Sequence, residues 1–273
     1  MRPDFQPQPK IGYGDARPRV SVTPNSGQVT VKAVIDDPAT RPRGFVAKGE
    51  PPRVRLPCHP PRTIMGRMDY YLISGPDGIL VEEFALHQDY TAAGIDSAAW
   101  SPEAGRWSAS PDLSRELRSD ARLRALVTPM GRRAAAQAYA RLGGGELPGE
   151  ERLRGLFRQR QPLPTTAPLD LGSSPDAHRY RILFAGDFDA DGLANARAAL
   201  RLEPADDPRV AGRASGDGFA WELRRIGAGI AWCVDVTVRL GSGPAGVLGA
   251  LLDHHRQAIR EQGLIPVTVE RFA

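Results

Sequence analysis

Residues Arg179–Leu202 read RYRILFAGDFDADGLANARAALRL. The opening RYRILFAGDF alternates bulky apolar side chains with polar ones, the period of a β-strand. In DGLANARAALRL, Leu193, Ala196 and Leu200 fall on one face of a helix. A strand that turns into a helix through an acidic, glycine-bearing corner sets the reading of everything after it. RVAGRASGDGFAWELRRI and GIAWCVDVTVRL read as strands, with Val234, Val236 and Val238 sharing a face against Asp235, Thr237 and Arg239. GPAGVLGALLDHHRQAIREQG predicts a helix, with Pro244 near its start and Gly263 past its end, and LIPVTVERF a last strand.

The order β-α-β-β-α-β predicts an α+β fold whose C-terminal part, residues 179–273, is a ferredoxin-like domain. Upstream, residues 161–178 combine Pro, Thr, Ser and Gly with few bulky apolar residues and read as a linker. Residues 68–160 read as an α+β middle domain. DYYLISGPDGILVEEFAL predicts two strands about Gly75-Pro76-Asp77-Gly78, and Trp100 and Trp107 flank a Pro-Glu-Ala-Gly turn. Three helices follow: SPDLSRELRSDARLRALV, then TPMGRRAAAQAYARLGGG with Thr128 as N-cap and Pro129 in the first turn, then LPGEERLRGLFRQ.

Residues 1–67 form a Pro-rich basic arm. Residues 1–68 carry 12 of the 25 prolines, and 12 Lys and Arg against 5 Asp and Glu; the remainder carries 24 against 27. Within the arm, VSVTPNSGQVTVKAVI alternates on both sides of a Pro-Asn-Ser-Gly turn and predicts a β-hairpin. A hairpin alone is marginal in water, so it needs a surface to dock on.

An apolar content of 41% and a charged content of 25% are those of a soluble globular chain, with no apolar run of membrane-spanning length. Cys58 and Cys233 are far apart and form no C-x-x-C pair. MRPDFQPQPK lacks the hydrophobic stretch of a signal peptide, and the expected location is cytoplasmic.

The corner Asp187-x-Asp189-x-Asp191-Gly192 begins like an EF-hand calcium loop, but the twelfth position, which must be a bidentate glutamate, is Ala198. Gly186-Asp187-Phe188-Asp189-Ala190-Asp191-Gly192 together with Asp253-His254-His255 resembles the DHH family of metal-dependent phosphoesterases, over ten residues of 273. The resemblance implies a pair of metal ions, manganese or magnesium, held by Asp189, Asp191, Asp235 and Asp253. His254 would lie at or beside the metal and His255 would contact phosphate. The implied reaction is hydrolysis of a phosphodiester in nucleotides or oligonucleotides, with metal-generated hydroxide as nucleophile.

The same residues also read without a metal. Asp189 or Asp191 caps the helix that begins near Gly192, and the acidic corner complements its dipole. On the later helix, His255 falls on the stripe of Leu248, Leu251, Leu252 and Ile259, while Asp253 is expected to face Arg256 and Arg260 in solvent. This predicts a non-enzymatic binding or regulatory protein without a cofactor, working through a protein partner or self-association. The basic arm adds nucleic acid as a further class of partner. His87, close to Asp89 and Tyr90, is a further acid–base candidate in the middle region.

Overall fold

The computed structural model describes residues 63–75, 77–163, 177–227, 231–239 and 245–272. The expected N-terminal hairpin, and all but the last few residues of the arm, lie outside them. Residues 57–273 form one compact unit. It is a mixed α+β structure built on two antiparallel sheets, and no helix among the described residues is long and apolar enough to cross a membrane.

The first sheet begins with β1 (Ile64–Ile73) and β2 (Gly78–Leu86), the two strands expected around the Gly75–Gly78 turn. β3 (Ala92–Trp100) and β4 (Trp107–Ala109) continue it, with Trp100 opposite Trp107. The order is β4-β3-β2-β1-β5, and a short β6 (Gln161–Pro162), at the start of the expected linker, pairs with β3. β5 (Val127–Met130) corrects one expectation. Thr128 and Pro129 do not open a helix; they pair with Leu72 and Tyr71 on an edge strand, a position that tolerates proline. The helix α3 (Arg132–Arg141) starts after Gly131 instead. The preceding helical pattern is split at Asp120 into α1 (Pro111–Ser119) and α2 (Ala121–Arg124), because the Asp120 carboxylate accepts from Arg122 N–H at 2.7 Å and caps a new start. A last short helix, α4 (Glu150–Arg154), completes this half.

The second sheet has the order β11-β7-β10-β9-β8. Its elements are β7 (Ala177–Ala185), α5 (Ala190–Ala199), β8 (Val210–Gly216), β9 (Phe219–Ile226), β10 (Ala231–Arg239), α6 (Ala245–Arg260) and β11 (Ile265–Phe272). The succession holds one strand more than expected, because RVAGRASGDGFAWELRRI makes two strands and not one. Asp217 and Gly218 sit at φ of 51° and 82°, the paired positive values of a two-residue hairpin turn.

Each face of the first sheet packs on a different layer. Tyr70, Val81, Ala98 and Trp100 meet Ala135, Tyr139 and Leu153 of α3 and α4. On the other face Tyr71 and Leu80 meet Leu117 and Ile265, while Phe84 and Ile95 join the core of the second sheet. Helix α6 lies between the sheets. Its Leu252 and Ile259 enter that core beside Ile182, Leu223, Val234 and Val236. Arg256 and Arg260, expected in solvent, are instead buried against the first sheet: Arg256 bonds the Asp69 carboxylate, Gln257 donates to it at 2.6 Å, and Arg260 reaches the carbonyl of Tyr70 at 3.2 Å.

Asp69 is 0% exposed, as are Glu82 and Glu83. Consecutive strand residues point to opposite faces, so Glu82 meets Arg118 of α1 (2.8 and 2.9 Å) and Glu83 meets Arg154 of α4 (2.8 Å). Asp96 pairs with Arg160 at 2.7 Å. A buried carboxylate without such a partner costs several kcal/mol, roughly 3–5. The arginines that follow the strands in sequence are what allow acids in the middle of a covered sheet.

Candidate functional site

The acidic corner follows β7. The Asp187 carboxylate accepts from the Trp232 indole at 2.7 Å and from the Arg225 guanidinium at 2.8 Å. These two donors hold its carboxyl below the usual carboxylate range, the indole contributing most. Asp189 is the N-cap of α5 and accepts from Gly192 N–H at 2.5 Å. A Cβ on residue 192 would stand 2.8 Å from the same carboxylate oxygen, so glycine permits this close cap. Asp191, in the first turn of α5, is exposed.

Asp235 lies elsewhere. Val234 and Val236 of β10 are in the core beneath α6, so Asp235 between them points to the opposite face of the sheet. There Arg181 grips it through two bonds of 2.7 and 2.8 Å. Asp253 is bonded to Arg256 at 2.8 Å, toward the first sheet. His255 turns to the second sheet, where its ring centre is 5.1 Å from Trp221; His254 beside it is exposed. His255 is 1% exposed and neither ring nitrogen has a hydrogen-bond partner. Burial, with His254 adding a smaller effect, lowers its pKa from 6.5 to about 3, so the ring is neutral at pH 7.

The six residues implied by the phosphoesterase resemblance are thus distributed over a helix cap, the far face of a sheet and two sides of α6. The structure brings His254 and His255 together, with ring centres 5.6 Å apart, and sends their neighbour Asp253 to a different layer. Among the described residues no group of three or more His, Cys, Asp or Glu is placed to hold a metal ion. Asp89, near the candidate His87, accepts from Thr91 at 2.7 Å and shapes the turn between β2 and β3. Cys233, on the Asp235 face, is fully buried, which pushes its thiol up to about 12 and keeps it protonated.

A concave surface is found at the end of the second sheet where the β8–β9 hairpin turns. It is a groove of about 970 Å³ that passes around the edge strand β8. On the helix side it is lined by Phe219, Trp221, Val247 and Leu251; Trp221 is anchored by its indole N–H, which donates to Leu200 O at 2.9 Å. On the outer side it meets Arg179, Arg213, Arg224 and Thr237. Arg224 is committed to Glu222 at 2.6 Å. Among the described residues the one acid paired with Arg213 is Asp206, at 3.9 Å and fully exposed, which contributes little in water. Val247 is 44% exposed, unusual for a β-branched apolar residue beside a core.

Sequence reasoning did not assemble this groove. The signal was Asp217-Gly218: read as a two-residue turn, it makes β8 an edge strand and places Arg213 and Trp221 at its rim. No family model matches the chain, and comparison with curated proteins and with solved structures finds no match.

Proposed function

We propose that this chain is a non-enzymatic, cytoplasmic binding protein with a regulatory role, which docks a protein partner, a second copy first among them, at the β8–β9 end of the second sheet. The observation that carries the reading is the groove there, which sets a half-buried tryptophan and an exposed valine beside exposed guanidiniums. Trp and Arg are the residue types that recur at the energetic centres of protein interfaces. The buried acids give the complementary support. Asp69, Glu82, Glu83, Asp96 and Asp235 are each clamped by arginine, an arrangement that occupies their oxygens with structural bonds.

With β8 set aside as an added edge strand, the succession β7-α5-β9-β10-α6-β11 and the order β11-β7-β10-β9 support a ferredoxin-like arrangement for the second sheet. In that arrangement both helices cover one face and leave the other for association.

Light scattering on the full chain over a range of concentrations tests the reading. Self-association is expected, and Val247→Asp, which puts a charge on an exposed apolar position, is expected to weaken it about tenfold or more. A chain that stays monomeric and captures no protein partner overturns it. So does a metal-dependent turnover that disappears in the Asp189→Ala, Asp191→Ala double variant.

A further inference from the structure

The groove has a composition that points to a ligand beyond a protein surface. Its volume, about 970 Å³, is at the upper end of the range for small-molecule sites, 300 to roughly 1,000 Å³. Its two sides differ in chemistry. The helix side offers a flat apolar wall, with Trp221 fixed in orientation by its bond to Leu200 and backed by the His255 ring. Leu251 and the exposed Val247 extend that wall.

Cations stand at both rims. Arg201 follows α5 at φ 53°, and Arg179 and Arg213 are exposed on the outer side. Arg179 and Arg201 have no ion pair among the described residues. The lining acids Glu222 and Asp235 are consumed by Arg224 and Arg181, which leaves Glu203 and Asp217. The lining holds four arginines and four acids, so its charge is balanced overall; what it offers an anion is the exposed guanidiniums, of which Arg213 has, among the described residues, one long, solvated pair.

Between the sides, the end of β8 is built from Ala214, Ser215 and Gly216. A Cβ added at Gly216 would meet nothing within 4 Å, so this position is a low saddle joining the apolar wall to the arginines.

From this geometry we infer that the groove is a binding site for a small organic anion, one with a flat apolar body and a carboxylate, sulfonate or phosphate head. The body lies against Trp221 and Leu251, with its head at the low saddle of Gly216. The head is held by Arg213 on the edge strand, a guanidinium being suited to paired bonds with such oxygens. This deepens the proposed function, because it uses the same groove and makes the anion a competitor or co-ligand of the protein partner.

The probe is anilinonaphthalenesulfonate, which joins a flat apolar body to an anionic head, against the uncharged phenylnaphthylamine. Fluorescence titration of the full chain is expected to give one saturable site, with the sulfonate bound about tenfold more tightly, the worth of one charge-assisted contact. Gly216→Leu fills the saddle in open space, and is expected to weaken both dyes about tenfold by excluding the body. Arg213→Glu changes an exposed residue, and is expected to remove the preference for the sulfonate while leaving the uncharged dye unchanged. Equal affinity for the two dyes, or sulfonate binding indifferent to Gly216→Leu, overturns the inference. Light scattering on the same samples separates the two ideas. If association persists while the dye fails, the anion site falls and the protein-docking reading stands; if the dye binds and association fails, the reverse holds.

Discussion

The two sheets handle charge in opposite ways. The first sheet has helices on both faces and keeps four carboxylates inside, each matched to an arginine from a flanking helix or loop. The second sheet is apolar beneath its helices and places its acids, Asp235 and Glu222, on the far face, where Arg181 and Arg224 remain partly exposed. An ion pair contributes according to what surrounds it. In the first sheet Asp69–Arg256 and Glu82–Arg118 are buried on both sides, so an unmatched member cannot reach water, whereas Arg154 and Arg160 stay about 40% exposed over the buried Glu83 and Asp96. In the second sheet the same chemistry is available for contact with something outside.

Four measurements break or sharpen this contrast. The largest effect is expected for Asp69→Ala, which strands Arg256 and Arg260 between the sheets; urea unfolding should show a loss of about 3–5 kcal/mol. A loss below about 1 kcal/mol, the range of surface pairs, would erase the distinction. Next comes acid sensitivity through His255. Its folded pKa, about 3, is below the unfolded 6.5, so the unfolded chain binds the extra proton between those values. Stability from the neutral ring is complete above pH 6.5 and is lost as pH falls toward 3, at about 1.4 kcal/mol per pH unit. Unfolding of His255→Leu and the unmodified chain across pH 7 to 4 should diverge with that slope, the variant being the less acid-sensitive. Parallel curves would mean that the ring finds a partner in the folded protein.

Asp235→Ala on the outer face should cost less, about 1–2 kcal/mol, since the freed Arg181 can be solvated. A cost equal to that of Asp69→Ala would place Asp235 among the interior pairs. The smallest effect is expected for Asp189→Ala, about 1 kcal/mol from the lost N-cap of α5, read from the thermal midpoint. A rise in stability would instead mark Asp189 as a strained residue held for another purpose.

Alternation made much of the architecture legible. Val234, Val236 and Val238 announced β10, and Gly75–Gly78 announced the β1–β2 hairpin. Turn chemistry is uneven as a signal: Asp77-Gly78 stands out beside Gly75-Pro76, whereas Asp217-Gly218 is hidden inside a run that alternates like one continuous strand. Thr128-Pro129 carried a good helix-start signal, but pairing with Leu72 and Tyr71 prevailed over that local preference.

The buried acids could not be foreseen from period alone. Glu82 and Glu83 in a strand look like a solvent-facing interruption until Arg118 and Arg154 are brought over them from 36 and 71 residues away. The site was legible only in pieces. The aspartate corner and the Asp-His-His triplet are both visible as strings, yet whether they meet depends on which side of a sheet or helix each residue occupies. The groove has no string at all, since its wall and its cations come from five separate elements.

Helix α6 also constrains the order in which the molecule can be made. Asp69 leaves the ribosome early, and its partner Arg256 follows 187 residues later. Until α6 arrives the inner face of the first sheet lacks its cover, and its central carboxylate must stay hydrated. A pairing across so long a separation is of the kind that slows folding, because apolar strands stay uncovered until it closes. The docking of α6 between the sheets is thus the long-range contact whose closure covers Asp69, and it is expected late in folding.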